Sequence, residues 1–161
     1  MRKHTYQYFS LDEYQERLDA LRAGMEEKGV DVMLINTPEN LFYMTGYQTP
    51  GYYWFQTLIV PMDREPIFIT RRGESANVEP LTWVEDSRPY DDNDDWIAKT
   101  KDALVDLGLE GKRIGIEKRS WFITIDDFER LSAMLPSATF VNCYGLIEQG
   151  RMIKSPQEIA H

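Results

Sequence analysis

Few residues in this 161-residue chain could make or break bonds by themselves, and their spacing limits the chemistry. The one carboxylate cluster is "DDNDDW", which begins Asp91, Asp92 and ends Asp94, Asp95, Trp96. Calcium would need alternating oxygen ligands, a glycine turn and a distant bidentate glutamate. The glycine and the glutamate are missing, whereas an acidic run just before a helix suits the positive end of the helix dipole. Arg71-Arg72 could fork onto a carboxylate or phosphate, but at the end of a strand a solvated basic pair is the plainer expectation. Lys112-Arg113 and Lys118-Arg119 read as plain surface. His4 and His161 stand at opposite ends of the chain, so no histidine triad or metal cluster is expected. There is no Gly-x-Ser-x-Gly elbow, and "GLEGKR" lacks the spacing and the Ser/Thr of a phosphate loop. A dinucleotide fingerprint after the first strand is missing too, since "NTPENL" stands there. Cys143 is the only cysteine, which excludes an internal disulfide and reads as a small buried hydrophobe.

Aromatic rings are the other resource. Seven lie between Phe42 and Phe55, interrupted by Thr49-Pro50-Gly51. Pro50-Gly51 suits a type II turn, with proline fixing φ and glycine tolerating positive φ. If Tyr52 to Val60 is one strand, alternation puts Tyr53, Phe55, Thr57 and Ile59 on one face and Tyr52, Trp54, Gln56, Leu58 and Val60 on the other. Neither face is polar near the turn. The rings are then either core flanking a loop or a surface that touches something, since large amphipathic rings anchor interfaces and ligand pockets.

These residues must be carried by one domain of ordinary size with a substantial core. Hydrophobic residues make up 42% and charged residues 28%, so the chain should be globular. A net charge of −9 argues against nucleic acid, which needs a basic face. No segment is long and apolar enough for a signal peptide or a membrane span, so the expectation is a cytoplasmic protein with no membrane partner.

Ser10 and Glu13 have capping-box spacing, and Leu11, Tyr14, Leu18, Leu21 and Met25 follow as a helical stripe that Gly29 stops. "VDVMLI" predicts a strand buried on both faces. Thr37 and Pro38 open a short helix through Met44 that ends at Gly46. Tyr52 to Val60 and Pro66 to Thr70 predict a hairpin, Ser75 to Pro80 one short helix, and "LTWVED" a strand. Trp96, Ile97, Thr100, Leu104 and Leu107 predict a helix ended by Gly108. "RIGIE" then predicts a strand, Thr124 caps a helix over "IDDFERLSAML", and "ATFVNC" is the last strand. This alternation predicts an α/β fold with a mixed, largely parallel sheet flanked by helices.

The opening "RLDALRAGMEEKGVDVMLI", then "PENLFYMTGY", the hairpin ending "PIFIT", "KRIGIE" and the closing "RMIKSPQEIA" resemble, in this order and spacing, the N-terminal domain of the creatinase, prolidase and aminopeptidase P superfamily, the pita-bread metallohydrolases. The resemblance covers nearly the whole chain and implies that residues 1–153 form that domain. Residues 154–161 would start a linker helix, marked by Ser155, Pro156 and Glu158, to a C-terminal catalytic domain.

In that superfamily the catalytic domain usually holds two metal ions with two Asp, one His and two Glu, although creatinase itself uses a histidine and no metal. The resemblance therefore implies no catalytic residue and no metal ligand in this chain, and a parent hydrolase that could carry a divalent pair of Mn, Co or Zn. The family's N-terminal domain helps form a homodimer, and the segment after "TGY" approaches the partner subunit's substrate site. This makes Tyr47, Tyr52 and Trp54 the candidate substrate-contacting residues. Creatinase has a Phe and an Arg where Tyr52 and Trp54 stand; the arginine is missing, which speaks against creatine. A small amide, an N-heterocycle or a proline-containing short peptide fits, because rings stack on rings. The alternative is a free-standing protein-interaction module with the same fold.

Overall fold

The computed structural model describes residues 7–160; His4 and His161 lie outside them. Helix α1 (Leu11–Glu27) begins where the Ser10 hydroxyl accepts the Glu13 N–H, and it buries Tyr14, Leu18, Leu21 and Met25 on one stripe. Strand β1 (Val32–Ile35) is buried throughout because it is central. It pairs antiparallel with β2 (Thr57–Pro61) and parallel with β5 (Arg113–Ile116). Outward from β2 lie β3 (Ile67–Ile69), antiparallel, and β4 (Asp86–Ser87), parallel to β3. β6 (Thr139–Asn142) runs parallel to β5, so the six strands are ordered β4-β3-β2-β1-β5-β6. This is the mixed, mostly parallel sheet that the alternating pattern predicts.

The side-chain alternation of β1 divides the core in two. Met33 and Ile35 pack with α1, with α2 (Pro38–Thr45) and with Ile147 of α7 (Leu146–Met152). Val32 and Leu34 pack with Ile97, Ala103 and Leu104 of α5 (Trp96–Asp106) and Leu131 of α6 (Ile125–Met134). Helices thus cover both faces, which explains a strand with no polar residue. Each such buried side chain contributes about 1.5–3 kcal/mol relative to exposure.

Gly46 ends α2 with φ 80°. A Cβ there would lie 2.5 Å from the Tyr14 hydroxyl oxygen and 2.9 Å from the Leu81 carbonyl, so both conformation and space require glycine.

Four local expectations need correction. No strand spans Tyr52 to Val60: β2 starts at Thr57, and residues 50–54 form a turn. β3 ends at Ile69 opposite Thr57, and β1 ends at Ile35 opposite Leu58, so the preceding residues have no backbone to pair with and the two-faced alternation fails. Gly51 is not among the positive-φ glycines, so the turn is not type II there; a Cβ at Gly51 would lie 2.5 Å from the Glu74 carboxylate, which would have to swing aside. "LTWVED" is mostly unpaired: Trp83 and Val84 are core side chains, and only Asp86–Ser87 joins the sheet. The single helix expected from Ser75 to Pro80 is two short turns, α3 (Arg72–Ser75) and α4 (Val78–Leu81). Helix α7 follows no signal we read in the sequence. The chain closes with α8 (Pro156–Ala160). Among the described residues, no helix is long and apolar enough to cross a membrane.

Candidate functional site at the carboxyl edge of the sheet

The pairing brings several connections to one edge. β1, β5 and β6 end there, β2 begins there, and β3 ends there. Residues leaving Ile35, Ile69 and Ile116, and those entering Thr57, therefore share one rim. Open α/β sheets characteristically bind ligands at the carboxyl ends of their parallel strands.

A buried polar network fixes this rim. Glu117, 1% exposed, directly follows β5. Its carboxylate accepts the Asn36 and Thr37 N–H groups at 2.8 Å each, where α2 begins. It also accepts from Asn40 Nδ2, which donates to Glu148 Oε1 at 2.8 Å as well. Asn40 Oδ1 accepts from Arg151 at 2.8 Å, and Glu148 Oε2 accepts the Gly145 N–H that starts α7. Burial pushes the Glu117 carboxyl above its ordinary range, against the opposing pull of the Asn40 amide and the two N–H groups. Asn36 Nδ2 donates to the Gln56 carbonyl at 2.9 Å and so pins the entry to β2.

A second anchor is Arg17. Its guanidinium lies 4.2 Å over the Phe9 ring and 4.1 Å over the Tyr43 ring. It donates to the Tyr43 carbonyl and pairs with Glu13 at 2.9 Å.

The three candidate ring residues separate on this frame. Tyr47 is buried, 4.8 Å from the Phe68 ring, and burial pushes its hydroxyl up to about 12. Tyr52 is 52% exposed and meets Phe122 edge-on at 6.3 Å. Trp54 is 40% exposed, with the Arg71 guanidinium 4.4 Å over its ring. Tyr53 packs between Tyr52 and Trp54, 5.9 Å and 5.5 Å away. A groove of about 670 Å³ lies beside Tyr43, Tyr47, Tyr52, Gln56 and Arg151. A smaller one of about 340 Å³ lies beside Trp54, Tyr90, Trp96 and Trp121. Phe122 lines both.

The charged motifs resolve into structure. Arg71 forks onto Asp92 at 2.5 and 2.6 Å, and Arg72 forks onto Asp91. The arginine pair is thus at the surface, as expected, but ion-paired to the acidic run rather than free. These guanidiniums hold both carboxyls below their ordinary range. Asp95 caps α5 by accepting the Ile97 and Ala98 N–H groups, as an acidic helix start should, and pairs with Arg130 at 2.6 Å. Cys143 is buried, and burial raises its thiol. Among the described residues no group of three His, Cys, Asp or Glu side chains is placed to hold a metal ion, so the residues here do not fit a metal centre.

Sequence reasoning missed Glu117, Asn40, Arg17 and Phe122. Glu117 alone carried a readable signal, a carboxylate closing an apolar strand at the rim where ligand sites gather.

The Creatinase/Prolidase N-terminal domain family matches residues 17–153. The chain is 29% identical to an ectoine hydrolase of Halomonas elongata, over 95% of this chain and 41% of that protein. It is 30% identical to an uncharacterized hydrolase/peptidase of Sinorhizobium fredii, over 96% of this chain and 42% of that protein. Among solved structures, a prolidase from Thermococcus sibiricus superposes with a TM-score of 0.78 at 20% identity, over 94% of this chain and 40% of that one. The chain thus spans about two fifths of the length of the curated relatives it matches.

Proposed function

Because the chain belongs to the creatinase/prolidase N-terminal domain family, we propose that it is the non-catalytic N-terminal domain of a larger C–N hydrolase of the creatinase or Xaa-Pro peptidase type. Residues 1–153 form the domain, and 154–161 start the helix that leads to the parent's catalytic domain. That domain would carry the chemistry, with a divalent metal pair or a creatinase-type histidine. This domain would serve in a homodimer, presenting Tyr52 and Trp54 to the partner subunit's substrate site; Tyr47, the third candidate, is buried against Phe68 and lines the larger groove.

The observation that carries this reading is the exposure of Tyr52 and Trp54 on a rim that is otherwise held rigidly. Glu117 fixes the backbone at Asn36 and Thr37, and Asn36 in turn fixes the Gln56 carbonyl, just after the rings. A fold that needed these rings only for its core would bury them. Rings on a preorganised rim suit a ligand, because little ordering remains to be done on binding. The relative named ectoine hydrolase supports a small molecule with a C–N bond as substrate. The prolidase superposition speaks to fold alone; a short proline-containing peptide is the second substrate class because aromatic rings stack on a prolyl ring.

The test is Trp54→Ala in the full-length parent. A changed KM or kcat with melting within a few degrees of the native enzyme supports the reading. Normal kinetics with a large loss of stability would place the ring in the core instead.

A further inference from the structure

The smaller groove shares only Trp54 with the proposal above, and it is complete within this chain. Seven of its nine lining residues carry aromatic rings; the other two are Thr124 and Asp127. Its base is Phe55, Tyr90 and Trp96. Phe55 and Trp96 stack at 6.3 Å, and Tyr90 lies 5.9 Å from Trp96. The polar edges of this base are spent inside the protein. The Tyr90 hydroxyl donates to the Phe55 carbonyl at 2.8 Å, and Trp96 Nε1 donates to Asp127 Oδ1 at 3.0 Å. What remains for a ligand is ring surface. The rim is Tyr53 and Trp54 on one segment and Trp121 on another. Trp121 is 93% exposed.

Ring faces carry negative charge density and attract soft cations. The fold already uses one of them so, since the Arg71 guanidinium lies over Trp54. Among the described residues, Asp127 is the one charged residue lining the groove. It belongs to a cluster with Arg130 and Asp95 that has one carboxylate in excess, on a chain of net charge −9. An anion would meet that carboxylate and the negative ring faces.

We propose that this groove binds a small organic cation of the quaternary ammonium class. The poorly hydrated head sits among Trp54, Trp96 and Trp121, over the buried Tyr90, and Trp121 supplies the outer wall. A volume of about 340 Å³ is within the range of small-ligand sites.

The experiment is a titration of this chain with choline and with the analogue in which carbon replaces the charged nitrogen. Tryptophan fluorescence and NMR shifts follow binding. Saturable binding of choline, about tenfold or more tighter than the neutral analogue, is expected. Trp121→Ala should weaken choline by about tenfold with melting unchanged, since the ring packs against little, and Trp54→Ala should weaken it similarly. Equal affinity for the two probes, no saturable binding, or full affinity in Trp121→Ala would overturn the proposal. Neither partner nor catalytic domain takes part in this titration, so its failure would leave the partner-facing role of the rim untouched.

Discussion

Asn40 and Glu117, 77 residues apart in sequence, meet in a buried hydrogen bond at the start of α2. The contact joins a helix from the "PENLFYMTGY" stretch to the residue that closes β5. It ties together two of the segments that carry the family resemblance.

Removing the Glu117 carboxylate should therefore cost far more than its size suggests. Glu117→Ala leaves the Asn36 and Thr37 N–H groups without their acceptor and the Asn40 amide with Glu148 alone. An unsatisfied buried group costs about 1–3 kcal/mol, so a loss of about 3 kcal/mol or more is expected. Glu117→Gln keeps one acceptor oxygen and should lose less. Urea unfolding of the two variants checks this; equal losses would mean that the side chain only fills space.

The same carboxyl predicts a pH dependence. Its folded-state pKa is raised above the ordinary value of 4.5 by burial. The folded state then holds the proton more tightly than the unfolded state. The stability it contributes is fully present below the unfolded value and is lost as pH rises through the folded one. The stability difference between the native chain and Glu117→Gln should shift against the native chain as pH rises from 4.5. A shift in its favour would show that the network prefers the carboxylate charged.

Gly46→Ala should destabilise the domain by about 2–4 kcal/mol, combining a strained positive φ with overpacking against Tyr14 and the Leu81 carbonyl. Thermal melting reads it directly. A loss below about 1 kcal/mol would show that the α2 terminus relaxes around the added methyl.

Much of this fold was legible because its signals are local. Ser10, Gly46, Asp95 and Thr124 mark helix ends through hydrogen bonds or a backbone conformation within a few residues. The apolar run of β1 announces a strand covered on both faces. The turn at 50–54 was not legible, because whether Tyr52 to Gln56 extend a strand depends on where β1 and β3 stop. The Glu117 network was hidden for the same reason: its partners converge through pairing of β1 with β5. Tyr47, Tyr52 and Trp54 came from the resemblance, and burial within one aromatic stretch could not be ranked without the fold.

Trp54 and Trp83 should respond oppositely to truncation. Trp83 is fully buried, with Nε1 donating to the Met44 carbonyl at 2.9 Å. Trp83→Ala should cost about 3–5 kcal/mol. Trp54→Ala removes a half-exposed ring and one cation–π contact and should cost about 1 kcal/mol. Comparable losses by urea unfolding would assign Trp54 to the core.

The 161-residue chain alone should not hydrolyse Xaa-Pro dipeptides, creatine or ectoine with added Mn²⁺, Zn²⁺ or Co²⁺. Turnover proportional to purified protein would show that the chain has a catalytic centre of its own.

If this domain shapes a substrate site without performing the chemistry, the kinetics of the full-length parent carrying Tyr52→Ala and Trp54→Ala, measured beside their melting temperatures, should show it. A fall in kcat/KM of about ten- to hundredfold is expected, with melting within a few degrees of the native enzyme. Unchanged kcat/KM in the folded parent would mean that the rings do not serve the substrate site.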